Sequence, residues 1–121
     1  MNVLHFKPQD AVLSSFAEGP GTATLGRLVD TDISSSMGAG IAEFDECSVE
    51  WTVTYDEVIV VLEGEFRLRL ADRVIVAGPG EIIWIPENTP LHYEGTKAKV
   101  FFAVYPGDWA SRSKLVTENK A

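Results

Sequence analysis

The stretch WTVTYDEVIVVLEGEF, residues 51–66, decides the fold of this chain. Its apolar run, Val58 to Leu62, predicts a buried β-strand, and the dipeptide Glu63-Gly64 predicts a two-residue hairpin turn. After this turn apolar residues alternate with arginines, which predicts a second strand with one buried face. The alternating residues are Phe66, Arg67, Leu68, Arg69 and Leu70.

The rest of the chain repeats this pattern of short strands separated by glycine and proline. Candidate strands cover residues 22–29, 38–44, 49–55, 74–77, 82–85, 91–94 and 99–105. A short helical turn is expected after Pro8, and a C-terminal helix from Asp108 through Ser113. Many short strands without a long helical period predict an all-β sandwich or barrel.

Composition limits the possible functions. A length of 121 residues fits a single domain, 1–121. The net charge of −8, without a basic cluster, opposes binding to nucleic acid or to an anionic membrane. The N-terminus lacks the apolar core of a signal peptide, and no apolar run is long enough to cross a bilayer, so the default expectation is the cytoplasm.

Cysteine and histidine counts restrict the cofactors. Cys47 is the single cysteine, which excludes an internal disulfide and a Cys-x-x-Cys pair. The two histidines, His5 and His92, are too few for a three-histidine metal site within one chain. We therefore expect no metal and no other cofactor.

Two sequence motifs resemble those of the cupin superfamily. Glu57, six residues and Gly64 match the end of the first cupin motif, and Gly80, five residues and Pro86 match the start of the second. This resemblance implies a cupin fold, a double-stranded β-helix or jelly-roll barrel. It places the barrel core at residues 22–110, with an N-terminal arm at 1–21 and a tail at 111–121.

The usual metal-binding histidines of the motifs are absent. Counting back from Glu57 places the two histidine positions of the first motif at Trp51 and Val53, on the same strand face. The alternative spacing places them at Glu50 and Thr52. In the second motif, Leu91 occupies the histidine position and Asn88 replaces a glycine. His92 follows one residue late, so a regular strand would point it outward and only a bulge would return it.

A narrower resemblance is to the cupin domain of the ethanolamine-utilisation EutQ family. It rests on the runs SSSMGAGIAEFD (34–45), WTVTYDEVIVVLEGE (51–65), GPGEIIWIP (78–86) and VYPGDW (104–109). That family also lacks the cupin histidines. The resemblance implies a role in ethanolamine catabolism, and an acetate kinase activity has been attributed to the family.

Glu57 and Tyr55 are the candidate catalytic residues. A carboxylate facing the interior would be desolvated, and its raised pKa would suit proton transfer. The alternative is a carboxylate paired with Arg67, Arg69 or Arg73. The Tyr55 hydroxyl could donate to a substrate oxygen, or Tyr55 could be a core aromatic with its hydroxyl at the rim.

Five further residues are candidate ligand contacts. Trp51 is expected to fill the volume that metal and imidazoles occupy in other cupins, or to stack on a ligand. Glu43 is either a second carboxylate beside Glu57 or a solvated strand position, and His92 is either outward or a bulged ligand. Val53 and Leu91 complete the set of positions that carry histidine elsewhere.

Three functions follow as hypotheses. The first is a EutQ-like protein that binds or transforms a small polar metabolite, without the usual cupin metal site. The second is a non-catalytic binding module that uses the same cavity. The third is a metal-dependent enzyme with an irregular site of Glu57, His92 and Glu43. Exposed sheet edges and an apolar N-terminal strand predict a homodimer, with a small molecule as the other partner and neither nucleic acid nor membrane.

Overall fold

The computed structural model describes residues 2–110. A short 3-10 helix covers Pro8–Asp10, as expected after Pro8. The strands are β1 Ser14–Ser15, β2 Thr22–Val29, β3 Gly38–Asp45, β4 Ser48–Thr52, β5 Asp56–Arg69, β6 Val74–Ala77, β7 Ile82–Ile85 and β8 Pro90–Tyr105. The all-β prediction is confirmed, and the bounds predicted for β2, β6 and β7 agree with the structure.

Two long antiparallel strands, β5 and β8, hold the barrel together. The C-terminal half of β8 pairs with β3, its N-terminal half pairs with β4, and β5 pairs with both halves. The N-terminal half of β5 pairs with β7 and its C-terminal half with β6. The β5–β8 ribbon therefore contributes to both faces of the jelly-roll barrel expected from the sequence.

The predicted hairpin at Glu63-Gly64 is wrong, because β5 runs through it. Residues 91–94 and 99–105 likewise belong to one strand, β8. The register of β5 against β8 shifts on either side of Glu63, and Gly64 and Lys97 both have positive φ angles. A Cβ at Gly64 would collide with the Lys97 carbonyl oxygen. The glycine thus allows a bulge that bends the ribbon, and a bulge needs the same residue type as a tight turn.

The strand predicted for residues 49–55 ends early, at Thr52. Val53 instead exchanges backbone hydrogen bonds with the turn before β8: its N–H donates to the Thr89 carbonyl at 3.2 Å and its carbonyl accepts from Asn88 at 2.7 Å. Asn88 has a φ of 70° at the position where the cupin motif has glycine. Asparagine tolerates this left-handed conformation better than most residues, so the turn forms without the glycine.

The hydrophobic core lies inside the barrel and alternates along each strand. In β5, Ile59, Val61, Phe66 and Leu68 are buried, while the residues between them face outward. Phe44 packs between two further aromatic rings, at 5.5 Å from Phe66 and 5.6 Å from Tyr93. The interior of the barrel around these rings is thus filled with side chains.

The N-terminal arm is partly joined to the sheet. β1 pairs with β2 through Ser14 and Leu25, so the sheet begins before the expected start of the barrel at residue 22. Residues 111–121, the expected tail, lie outside the described residues, as does the end of the helix predicted from Asp108 through Ser113. Between residues 2 and 110, no helix is long and apolar enough to span a bilayer.

The outer face of the β3–β8–β5–β7 sheet is apolar. One cross-strand row consists of Ile41, Phe101, Val60 and Ile82, and the next of Ala39, Ala103, Val58 and Trp84. We call these eight residues the apolar outer face. Its β7 end is open to solvent, since Ile82 is 68% exposed and Trp84 59%. The N-terminal arm reaches the other end through Phe6, while Val3 beyond it is almost fully exposed.

Candidate functional site

Glu57 faces the interior of the barrel, as expected from its place at the head of β5. It lies in a cross-strand row with Gly38, Val104 and Ile85. Only 5% of the residue is exposed. Because its row partners offer no polar side chain, the carboxyl group depends on other residues for hydrogen bonds.

Tyr93 supplies that hydrogen bond. Its hydroxyl donates to Glu57 Oε1 at 2.7 Å, and this contact is buried. The arginine pairing considered for Glu57 does not form: Arg67 contacts Glu65, Arg69 contacts Glu94, and Arg73 makes no ion pair with Glu57. Sequence analysis missed Tyr93, although it lies two residues after Leu91 and strand parity places both on the inner face.

Burial shifts the pKa values of Glu57, Tyr55 and Tyr93. Desolvation raises the pKa of Glu57 to about 7, and the hydrogen bond from Tyr93 opposes part of that rise. Burial also raises the pKa of Tyr55 to about 12, with a further increase from the nearby Glu57 charge. The pKa of Tyr93 is raised by burial and by Glu57 as well. Both phenols therefore stay protonated at neutral pH, while Glu57 is divided between its two forms.

Tyr55 extends the cluster toward the rim. The Tyr93 hydroxyl and the Trp51 indole each lower the pKa of Tyr55, against the larger rise caused by burial. Val53 and Tyr55 are two residues apart and both are buried, so Tyr55 keeps the inward direction of the alternation although the chain has left the β4 ladder. Glu57, Tyr93 and Tyr55, which we call the acid–tyrosine cluster, thus form one connected polar group in an apolar barrel.

A cleft of about 450 Å³ leads to this cluster from the surface. Its walls are mostly apolar or aromatic, and include Phe16, Leu25, Val49, Trp51, Tyr93 and Trp109. Tyr93 both lines the cleft and contacts Glu57, so it connects the cleft to the buried carboxyl group. An aromatic-walled cleft with a few convergent polar groups is the usual form of a small-molecule site.

Trp51 lies at the rim rather than in the interior. It is 40% exposed, and its ring packs edge-on against Trp109 at 5.9 Å. Trp109 also contacts the Tyr55 ring at 4.9 Å. The expectation that the indole fills the space of the missing metal site is therefore wrong, because β4 ends at Thr52 and leaves Trp51 on the cleft wall.

Val53 and Leu91, the other two positions that carry histidine elsewhere, are core residues. Val53 is 0% exposed and Leu91 is 3% exposed, and both belong to the main hydrophobic cluster. They offer no polar atom to a ligand, and they supply packing beside the acid–tyrosine cluster.

His92 and Glu43 are on the outer surface, away from Glu57. His92 lies between the inward-facing Leu91 and Tyr93, and its Nε2 is 3.9 Å from Glu50. Glu43 contacts Lys99 at 3.8 Å. The bulge that would turn His92 inward does not form, since β8 pairs regularly with β4 there. The three proposed metal ligands are thus not brought together, and no group of three potential ligands occurs within residues 2–110.

The site can exchange a proton with a bound molecule near neutral pH. A carboxyl group with a pKa of about 7 is available both as acid and as base. The Tyr55 hydroxyl can donate a hydrogen bond to a ligand oxygen or nitrogen, while the Tyr93 oxygen, whose proton goes to Glu57, can accept one from a ligand in the cleft.

Comparison with known proteins identifies the family. The family model described as ethanolamine utilisation protein EutQ matches residues 16–111. The chain is 32% identical over 93 residues to the protein named acetate kinase EutQ of Escherichia coli strain K12. This alignment covers 76% of this chain and 40% of that protein. Over 87 residues it is 32% identical to the protein of the same name from Clostridioides difficile strain 630, covering 71% and 55% respectively.

Solved structures agree with this assignment. The structure of the Clostridium difficile EutQ protein superposes with a TM-score of 0.71 at 27% identity, covering 74% of this chain and 72% of that one. An RmlC-like cupin from Shewanella frigidimarina superposes with a TM-score of 0.66 at 16% identity, covering 86% and 92%, which supports the cupin fold alone. The chain spans about half the length of the curated relatives it matches. Its barrel, its motifs and the family match together show that the chain belongs to the EutQ family of cupins.

Proposed function

We propose that the acid–tyrosine cluster binds a small polar metabolite that occurs in ethanolamine-type amine catabolism, and transfers a proton to or from it. The observation that carries this proposal is the contact between buried Glu57 and Tyr93 at the inner end of an aromatic-walled cleft. Glu57 acts as the acid or base, and Tyr55 and Tyr93 hold polar atoms of the ligand. The family membership supports amine catabolism as its setting.

Ligand binding with matched variants tests this proposal. Wild-type protein, Glu57→Gln and Tyr93→Phe are titrated with ethanolamine and with related small alcohols, aldehydes and amides, and backbone amide signals are followed by NMR. We expect perturbations at residues of the cleft and weaker binding in both variants. Glu87→Gln, which alters an exposed carboxylate on the turn between β7 and β8, is the control. Perturbations confined to the outer surface would contradict the proposal.

A non-catalytic binding module is the second candidate, because the cleft and the cluster would serve it equally well. Two assays separate binding from turnover. Product formation from a ligand found in the screen, lost in Glu57→Gln, would show catalysis. Acetate kinase activity, suggested by the names of the relatives, is assayed with acetyl phosphate and ADP. Binding without turnover in either assay would favour the binding module.

The metal-dependent alternative has little support from the geometry, since His92 and Glu43 face away from Glu57. Metal analysis of the purified protein tests it directly. A stoichiometric metal that is lost on Glu57→Gln would favour this alternative over the metal-free proposal.

We also propose that a second copy of the chain covers the apolar outer face. The face is continuous across four strands, and the N-terminal arm extends from one end with Val3 and Leu4 exposed. A second copy would present the same apolar face and the same arm. In a twofold contact each protomer would bury the face of the other, since the same surface is used on both sides.

A further inference from the structure

Arg27 pairs with Gly40 of β3, and strand parity places it on the inner face of β2. It follows Ala23 and Leu25 at alternate positions, and both of these pack against the core. Leu25 also lines the cleft. Arg27 itself is exposed, and the register of β2 against β3 shifts directly after it. A bulge at this point is a common device for aiming a side chain beside a site.

The guanidinium group of Arg27 extends over Gly38. Its Nη1 atom is 2.9 Å from the position that a Cβ of Gly38 would occupy. Because Gly38 has no Cβ, the guanidinium group can approach this part of β3 closely. Gly38 belongs to the same cross-strand row as Glu57, with Val104 between them. Two strand spacings separate the ends of this row, about 10 Å across the inner face of the sheet.

No carboxylate within residues 2–110 forms an ion pair with Arg27, whereas Arg67, Arg69 and Lys99 each contact a glutamate. The charge of Arg27 instead acts on the site, where it opposes the rise in the pKa of Tyr55. A planar guanidinium with free donors is suited to bidentate binding of a carboxylate or phosphate. In a chain with a net charge of −8, an exposed guanidinium group whose charge acts on Tyr55 favours the approach of small anions to the cluster.

We propose that Arg27 binds the anionic group, a carboxylate or a phosphate, of a small ligand whose other end reaches the acid–tyrosine cluster. This inference rests on the proposed function and adds a substrate class to it: a short anion of a few carbon atoms with a hydroxyl, carbonyl or amino group at the far end. The distance between Gly38 and Glu57 along their row sets the length of that ligand.

Titration with charged and neutral probes of the same shape tests the inference. The probes are 3-hydroxypropanoate, its neutral amide 3-hydroxypropanamide, and inorganic phosphate, each followed through the amide signals of Gly38, Tyr55 and Tyr93. The variants are Arg27→Gln, which removes the charge, and Arg27→Lys, which keeps it without the planar fork. Arg73→Gln, at another exposed arginine, is the matched control.

We expect 3-hydroxypropanoate to bind at least tenfold more tightly than its amide, and Arg27→Gln to abolish this preference. Arg27→Lys should retain part of it, and Arg73→Gln all of it. If inorganic phosphate perturbs the Gly38 signal only in proteins that retain Arg27, the ligand group is a phosphate. If phosphate has no effect, the ligand group is a carboxylate. Equal binding of acid and amide, or an unchanged preference in Arg27→Gln, would overturn the inference.

The two proposals fail in different ways. If the amide perturbs Tyr93 and this effect is lost in Glu57→Gln, but the acid shows no preference, the proposed function stands and the role of Arg27 is wrong. If the acid perturbs Gly38 through Arg27 but leaves Tyr93 unaffected, Arg27 binds anions and the acid–tyrosine cluster is not the site.

Discussion

The Tyr93 hydroxyl donates a 2.7 Å hydrogen bond to Glu57 Oε1 inside the barrel. The two residues come from neighbouring long strands, β8 and β5, that form the centre of the fold. Their contact places a titratable group inside the barrel: Glu57 is the glutamate of the first cupin motif, whereas neither motif specifies Tyr93. The proposed function therefore depends on a carboxyl–phenol pair in an apolar environment.

Glu57 should make stability fall as pH rises. The unfolded chain ionises this group near 4.5, its ordinary pKa, whereas the folded chain ionises it near 7. Between these values only the unfolded state has released its proton, so the free energy of unfolding decreases by about 3 kcal/mol across the window. We expect Glu57→Gln to remove this decrease, measured as the difference in urea unfolding between variant and wild type from pH 4.5 to 7.5. A difference that stays flat, or an equal change in the Glu87→Gln control, would contradict it.

Removing the phenol should raise the pKa of Glu57 further. The hydrogen bond from Tyr93 favours the ionised carboxylate, so Tyr93→Phe leaves the desolvation effect unopposed. Carboxyl ¹³C NMR should show the titration midpoint of Glu57 above that of the wild type. Tyr55→Phe, which removes a hydroxyl that is not bonded to Glu57 in the structure, should shift the midpoint less. A midpoint that falls in Tyr93→Phe would show that the contact favours the neutral acid instead.

Gly64 should be irreplaceable for a steric reason beyond its φ angle. Gly64→Ala would place a methyl group against the Lys97 carbonyl oxygen, whereas Gly80→Ala has a similar positive φ and no atom within 4 Å. The Gly80 variant should lose about 1 kcal/mol from the left-handed conformation alone. The Gly64 variant should lose at least about 2 kcal/mol more, because the β5–β8 bulge must shift. Equal losses in urea unfolding would show that the ribbon adapts to the methyl group.

The apolar outer face should control self-association. We expect Ile82→Glu combined with Trp84→Glu to convert a dimer to a monomer, since each would place a charge within the contact. The mass is measured by light scattering after size-exclusion chromatography. Val76→Glu is the control, because Val76 is also an exposed strand residue, at 58%, but lies on β6 outside this face. A wild-type monomer, or a double variant that stays dimeric, would count against the proposal.

The sequence predicts the strands better than their connections. Alternation and punctuation locate β2, β6 and β7 because each is short and bounded by glycine, proline or charged residues. Glu63-Gly64 misleads because a glycine with positive φ serves a hairpin or a bulge equally well, and only the partner strand decides which forms. Gly95 is a similar case: it lies between residues 91–94 and 99–105, which are predicted as two strands but both belong to β8.

The sequence predicts only part of the site, because contacts between distant parts of the chain decide the rest. The motif spacing locates Glu57, and strand parity alone puts it inside. The position predicted for Trp51 is wrong because β4 ends at Thr52, one residue after Trp51. The contact between Val53 and the distant Thr89 sets this boundary. Tyr93 and Arg27 are inward by parity, but no local pattern marks either residue until the barrel brings it to Glu57 or Gly38.

The pKa of the Glu57 carboxyl group is the most direct test of the central claim. Carboxyl ¹³C NMR of the wild-type protein, assigned by comparison with Glu57→Gln, follows this group from pH 3 to 9. A midpoint near 7 is the predicted result, since the carboxyl group is desolvated and held by Tyr93. A midpoint near the ordinary value of 4.5 would mean that the group is solvated, and the proposed acid–tyrosine cluster would have to be abandoned.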